Sequence, residues 1–413
     1  MNRLKLLTSL YLLINLILSI FAFWGDPSSS TKEYALNFFT MSDLQTGESF
    51  FRYGLVGHSI HKFFLILILL FLAIKENQEK KFFQKKSFFK IQKVRGDFQN
   101  LPIIIKIILI AIFFQIIKFP FSFFISYWRK KQFLLTEISL TDWLLRYLGH
   151  NLIALLTITF SFYIFLLIIK KYKLYLFILP GVFFLLSLIY LIIYPRFIAP
   201  LFYEFKPIDK PSLEKDINHL FTKGKIKVNK IRVINKSIDG RAVNAYFTGF
   251  ANTKEIVLYD TLVNNFSNEE ILAVVAHELG HYQEEHVLLG ISLASLGSLI
   301  ILFALNFLSN ILFSSNIKKI IESHKLFSIL LLLSFILFCS NPISNFISRI
   351  LERRADFFSL NLTNDPATFI KMKTKIYKNN KSHILPHPLY ASFYYTHPPV
   401  LERIRSAENY AKK

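Results

Sequence analysis

The chain of 413 residues carries a formal net charge of +22, is 53% hydrophobic and contains 45 Phe, and it is long enough for two or three domains. Its apolar residues come in long runs rather than alternating, which is the composition of a multi-spanning membrane protein. Lys and Arg cluster in short loops between those runs, where they set topology and meet anionic lipid, so the charge does not call for a nucleic-acid partner. The single cysteine, Cys339, lies inside an apolar run and excludes both a disulfide framework and a Cys-based metal site.

Leu4 to Phe23 is apolar, with Arg3 and Lys5 at its start. It is longer than the usual core of a signal peptide and no small-x-small cleavage site follows, so it is expected to stay as a first transmembrane helix. Further spans are expected at Leu55–Ile74, Leu101–Tyr127, Asn151–Ile169 and Leu174–Tyr194, each near the twenty or so residues that a bilayer requires. Pro120 should kink the third of these or end it early. Residues 75–100, Lys-rich with interleaved Phe pairs, read as a membrane-surface segment.

A soluble stretch begins at Pro195. Ile226–Asn235 and Asn244–Tyr259 are β-branched and aromatic with partial alternation, broken at Asp239-Gly240 and Gly249, and read as two or three strands. The pattern then turns helical. Ser267 and Glu270 form a capping box, and Phe266 with Ile271 makes a hydrophobic staple. Leu272, Val275 and Leu279 run down one side as a packing stripe. This helix carries His277-Glu278-Leu279-Gly280-His281, the HExxH pattern. Residues four apart share a helix face, so both imidazoles can bind one Zn²⁺, and Glu278 can reach a water at the metal as general base.

The chain becomes apolar again over Val287–Phe313 and Leu326–Ile347, which brings the expected spans to seven. The helix of the HExxH pattern should run straight into the sixth. A zinc enzyme of this kind needs a third protein ligand, and Glu352 in the Ser348–Asp356 segment that leaves span seven is the best candidate. Asp356, four residues on, shares its face and can accept the free N–H of a ligating histidine. His286 and the His387-Pro388 pair read as solvated-loop residues. No internal repeat is evident.

Several stretches, in order, resemble the CAAX prenyl protease 1 family, seven-span membrane zinc metalloendopeptidases, and more distantly the HtpX membrane proteases. They are Tyr194–Phe202, Asn244–Gly249, Ile256–Leu262, His277–His281, Ser348–Asp356 and His397–Arg403, with Val243 where the family often has Ser. The resemblance implies His277, His281 and Glu352 as zinc ligands and Glu278 as catalytic base. It implies further that Asn244 lies on an edge strand pairing with extended substrate. His397 would stabilise the oxyanion of the tetrahedral intermediate, with Arg403 also near the metal. It also implies spans that enclose a water-filled chamber.

The expected fold is thus an α-helical multi-pass membrane protein of seven transmembrane helices with an inserted small α+β zincin-like domain. Residues 1–194 hold five spans, 195–286 the soluble zinc-protease domain, 287–347 spans six and seven, and 348–413 a segment that completes the active site. The expected function is a zinc metalloendopeptidase that removes the aaX tripeptide from prenylated CAAX-type substrates. Its partners would be a peptide or protein substrate and the lipid bilayer. It would sit in the endoplasmic reticulum membrane of a eukaryote or the inner membrane of a bacterium. The alternatives are a lipid-independent quality-control endopeptidase and, further behind, a non-enzymatic transporter, for which Lys106 and Lys118 in span three are the only hint. Residues 75–100, 170–173 and 317–325 hold more Lys and Arg than the loops opposite, which by the positive-inside rule puts the zinc domain outside the cytosol. The resemblance implies the reverse, and that orientation is adopted.

Overall fold

A computed structural model describes residues 2–25, 27–82, 101–249, 254–322 and 325–412, without the side chains of 77–82, 103 and 322. Among the described residues, seven helices are long and apolar enough to cross a membrane. Five come first: α1 (Asn2–Trp24), α2 (Met41–Phe82), α3 (Ile103–Ser122), α4 (Leu140–Lys171) and α5 (Tyr175–Ile193). The soluble elements follow, and α8 (His286–Phe313) and α9 (Leu326–Thr363) complete the set. The protein is a multi-pass integral membrane protein. The helices overrun the apolar windows in the sequence, since polar residues at a helix end continue the backbone ladder once the chain has left the hydrocarbon. Pro120 does not end α3. The helix passes through it and widens into π-helical turns at Phe123–Trp128, a register change of the kind that accompanies local insertions in helices. The surface-segment reading of 75–100 falls largely on residues outside those described.

The soluble region holds one four-stranded sheet, three strands of which fall in the two stretches read as strands. β1 (Phe205–Pro207), β2 (Lys230–Ile234), β3 (Ala245–Thr248) and β4 (Glu255–Tyr259) are ordered β1-β2-β4-β3. β2 and β4 run parallel, with Ile231 opposite Ile256 and Val233 opposite Leu258, and the outer pairs are antiparallel. The remaining strand, the three-residue β1, lies outside those stretches and is too short to leave a local signal. Ile256, Val257 and Leu258 of the central β4 are wholly buried, as a strand covered on both faces requires. β3 is an edge.

Against this sheet pack α6 (Pro211–Lys223), which buries Leu213, Ile217, Leu220 and Phe221, and α7 (Asn268–Gln283), which buries Ile271, Val275 and Leu279. The capping box at the start of α7 is formed. Glu270 N–H donates to Ser267 Oγ at 3.3 Å and Ser267 N–H donates to Glu270 Oε2 at 2.9 Å. The α7 core continues into the C-terminal part of α9 through Leu360 and into α10 (Pro366–Asn379) through Phe369 and Met372. Two short helices, α11 (Pro388–Tyr394) and α12 (Val400–Ala411), close the chain.

α7 does not run into α8. It ends at Gln283, and Glu285 adopts a left-handed conformation at φ 52° before α8 starts at His286. The interruption has no Gly, Pro or Asn to announce it, and a left-handed Glu is uncommon.

Candidate metal centre

Two helices build the centre, and small residues let them come close. A Cβ on Gly280 would lie 2.9 Å from Ala355 Cα and 3.1 Å from its carbonyl oxygen, so only glycine fits where α7 meets α9. Seven residues earlier on α7, Ser359 Oγ of α9 donates to the Ala273 carbonyl at 3.0 Å. These two contacts bracket His277 and bring it and His281 over Glu352.

One ligand atom from each of His277, His281 and Glu352 lies within 4.8 Å of the others. Glu352 Oε1 is 3.2 Å from His281 Nε2, and Glu352 Oε2 is 3.5 Å from His277 Nε2. Glu352 Oε2 is buried and makes no hydrogen bond, as suits a carboxylate oxygen whose partner is a cation rather than a proton donor. Two imidazoles and a carboxylate converging on one point are the donor set of a catalytic metal site with a position left open. The residues present fit a metal ion.

Around these three sits a ring of charge. Asp356 accepts two hydrogen bonds from Arg403, Nε to Oδ2 at 2.6 Å and an outer guanidinium nitrogen to Oδ1 at 2.5 Å. Asp356 Oδ1 also lies 3.0 Å from His277 Nδ1, close in distance but at an angle outside that of a hydrogen bond. Arg403 reaches Glu352 Oε2 at 3.4 Å, and Lys373 Nζ stands 3.4 Å from Asp356. Burial opposes the charge on Arg403, yet the Asp356 and Glu352 carboxylates outweigh it and hold the guanidinium above its ordinary pKa. For Lys373 burial wins, and its ammonium comes down to about 8.

His397 Nε2 lies 3.3 Å from Glu352 Oε1, and Thr396 Oγ1 lies 2.9 Å from His397 Nδ1. With the Thr396 hydroxyl donating to Nδ1, the ring proton sits on Nε2 and the side of the ring facing the centre is a donor. Burial lowers the pKa of this imidazole and favours that neutral form, against the pull of Glu352. Glu278 lines a cavity of about 880 Å³. Burial raises its carboxyl above the ordinary value, opposed by His277 and His281, which suits a group that must accept a proton near neutrality. Asn244 lies one residue before β3, where its carbonyl accepts from Tyr259 N–H at 3.1 Å, and lines the same cavity. The cavity also touches Phe50 and Phe51 of α2, so one wall belongs to a membrane helix.

Residues 207–411 match Peptidase family M48. The chain carries a family M48 peptidase domain. The uncharacterized metalloprotease YhfN of Bacillus subtilis (strain 168) is 32% identical over 245 residues, 58% of this chain and 57% of that protein. A CAAX prenyl protease 1 homolog of Arabidopsis thaliana is 33% identical over 241 residues, 56% of this chain and 55% of that protein. The M48 chain therefore spans little more than half the length of these curated relatives in alignment. The crystal structure of S. mikatae Ste24p superposes with a TM-score of 0.79 over 98% of both chains at 22% identity, which establishes the fold.

The structure gathers every sequence-predicted site residue of the M48 domain around one cavity or its supporting shell. It corrects one reading. His286 is not a solvated loop residue but is 4% exposed, with Nδ1 2.9 Å from His281 Nδ1. His387 caps α11 by accepting from Leu389 N–H at 3.3 Å and stacks on Phe21. Lys373 was not legible as part of the site, although a signal exists. It falls on the apolar face of α10 beside Phe369 and Met372, and a lysine there needs a buried partner.

Proposed function

We propose that this M48 chain is an integral-membrane zinc metalloendopeptidase that removes the C-terminal aaX tripeptide of prenylated CAAX-type substrates. The observation that carries the reading is the convergence of His277, His281 and Glu352 in the wall of a cavity bounded by both the soluble sheet and a membrane helix. The catalytic part of the reading rests on that donor set with Glu278 beside it. The substrate part rests on the CAAX prenyl protease 1 homologues among the relatives and on the cavity's membrane-side wall.

His277, His281 and Glu352 would hold a zinc ion, which would supply a Lewis acid for the scissile carbonyl and an acidified water. Glu278 takes the proton from the attacking water and delivers it to the leaving amine. The His397 Nε2–H donates to the oxyanion as charge develops there. Asp356 and Arg403 hold the ligand face of α9 in register with α7. The edge of β3 after Asn244 offers unpaired backbone groups for an extended peptide to join as an added strand. The prenyl group would occupy the apolar side of the cavity near Phe50 and Phe51.

One peptide assayed with and without its farnesyl group separates the parts of this proposal. The prenyl-dependent reading predicts a much higher kcat/KM for the farnesylated peptide, chiefly through KM, because lipid contacts bind substrate and transition state alike. Cleavage should occur after the modified cysteine and stop on addition of a zinc chelator. Equal kcat/KM values would leave a lipid-independent endopeptidase. Cleavage that a chelator does not touch would remove the metal from the mechanism.

A further inference from the structure

The break between α7 and α8 places His286 where the sequence pattern does not. After Gln283 the chain takes one left-handed residue, Glu285, and returns His286 beneath the last ligand of α7. The rings of His281 and His286 are 5.0 Å apart and inclined at 72°, with the two Nδ1 atoms 2.9 Å apart. His286 Nε2 is 3.3 Å from Glu284 Oε2, and the same oxygen is 2.5 Å from Arg354 Nε on α9, two residues beyond Glu352. The path therefore starts on one ligand helix and ends on the other.

The protons along this path can be assigned. Glu284, paired with the Arg354 guanidinium, is a carboxylate and only accepts, so His286 Nε2 carries a proton and donates to it. The Nδ1 of a neutral His286 is then an acceptor. Its neighbour at 2.9 Å, His281 Nδ1, must be the donor. That leaves the lone pair of His281 on Nε2, the atom that faces Glu352 Oε1 at 3.2 Å and the metal position. Ligating histidines commonly donate their other ring N–H to a carboxylate or carbonyl, which fixes the tautomer. His281 has neither within reach in the hydrogen bonds of the described residues.

We propose that His286 is the positioning residue for His281, holding it in the Nε2-ligating tautomer and orientation, with Glu284 and Arg354 fixing the tautomer of His286 in turn. The proposal rests on the metal-site reading above and extends it to residues outside the HExxH pattern. Its test is zinc affinity, measured by competition with a chromophoric chelator on the purified full-length chain, alongside the melting midpoint of the metal-free protein. His286→Phe keeps the ring and removes the acceptor, and should weaken zinc binding by about 10- to 100-fold. His286→Asn restores an oxygen at the Nδ1 position and should recover most of that loss. Equal affinity in wild type and His286→Phe would overturn the proposal. So would equal loss in the Phe and Asn variants, which would make the role one of packing. If His286→Phe does not fold, Glu284→Leu decides, because it frees the His286 tautomer from a partly exposed position. Weaker zinc binding there supports the relay and unchanged affinity overturns it. His281→Ala retaining wild-type affinity would be a different failure, since it would remove the metal from this site and the proposal with it.

Discussion

α7 and α8 are neighbours in sequence, separated by two residues, and both are rich in apolar side chains, but their surfaces are used in opposite ways. In α7 the apolar residues Ile271, Val275 and Leu279 are entirely buried, and the small residues Ala273 and Gly280 admit the backbone of α9. In α8 the apolar residues Leu296, Ile300, Phe303 and Phe307 are 44–64% exposed, facing where lipid would lie. The difference is one of solvent. Lipid is as apolar as leucine and rewards no particular partner, so α8 needs only length and hydropathy. α7 is specified by complementarity, and the M48 site depends on that complementarity being tight.

Substitutions should therefore matter far more on one side of Glu285 than on the other. The largest effect is expected for Glu278→Gln, which removes the proton acceptor and leaves every ligand in place. Turnover should fall by about 10²- to 10⁴-fold in a single-turnover assay, with the melting midpoint unchanged.

Arg403→Leu comes next. It strips Asp356 of both short hydrogen bonds at a site where the carboxylate is 5% exposed. Leaving a buried charge without its partner should cost about 3–5 kcal/mol by chemical denaturation. Lys373 and His277, at 3.4 and 3.0 Å, would offset part of this, so the low end of the range is expected. Gly280→Ala is smaller again. The new methyl would press on Ala355 at 2.9 Å, which should cost about 1–3 kcal/mol and weaken metal binding by moving Glu352 away from the histidines. Phe307→Leu in α8 should change stability by no more than about 0.5 kcal/mol, since that residue is 64% exposed. A loss there as large as that of Gly280→Ala would erase the contrast between the two helices.

The same contrast explains what the sequence discloses. Spans such as α8 are legible because hydropathy is their whole specification. The start of α7 is legible because Ser267, Glu270, Phe266 and Ile271 encode a local structure within five residues, and HExxH because metal chemistry fixes a helical spacing. Glu352 and Asp356 are legible through their i, i+4 relation once a helix is assumed. What stays hidden depends on distant contacts. The break at Glu285 carries no turn residue and is imposed by tertiary packing, so the continuous helix and the solvated His286 are both natural misreadings. Lys373 belongs to the centre only because α10 packs against α7 and α12, which brings it to Asp356, and the short β1 exists only by pairing with β2. Asn244 lies beside the strand rather than in it because the register of β3 is set by β4.

The central claim is that α7 and α9 each contribute ligands to one metal, with Glu278 acting beside it. Metal content of purified Glu352→Ala and Glu278→Gln, measured side by side with wild type, tests this most directly. The account predicts that Glu352→Ala loses its zinc and that Glu278→Gln keeps a full complement while inactive. A full complement of zinc in Glu352→Ala would contradict it.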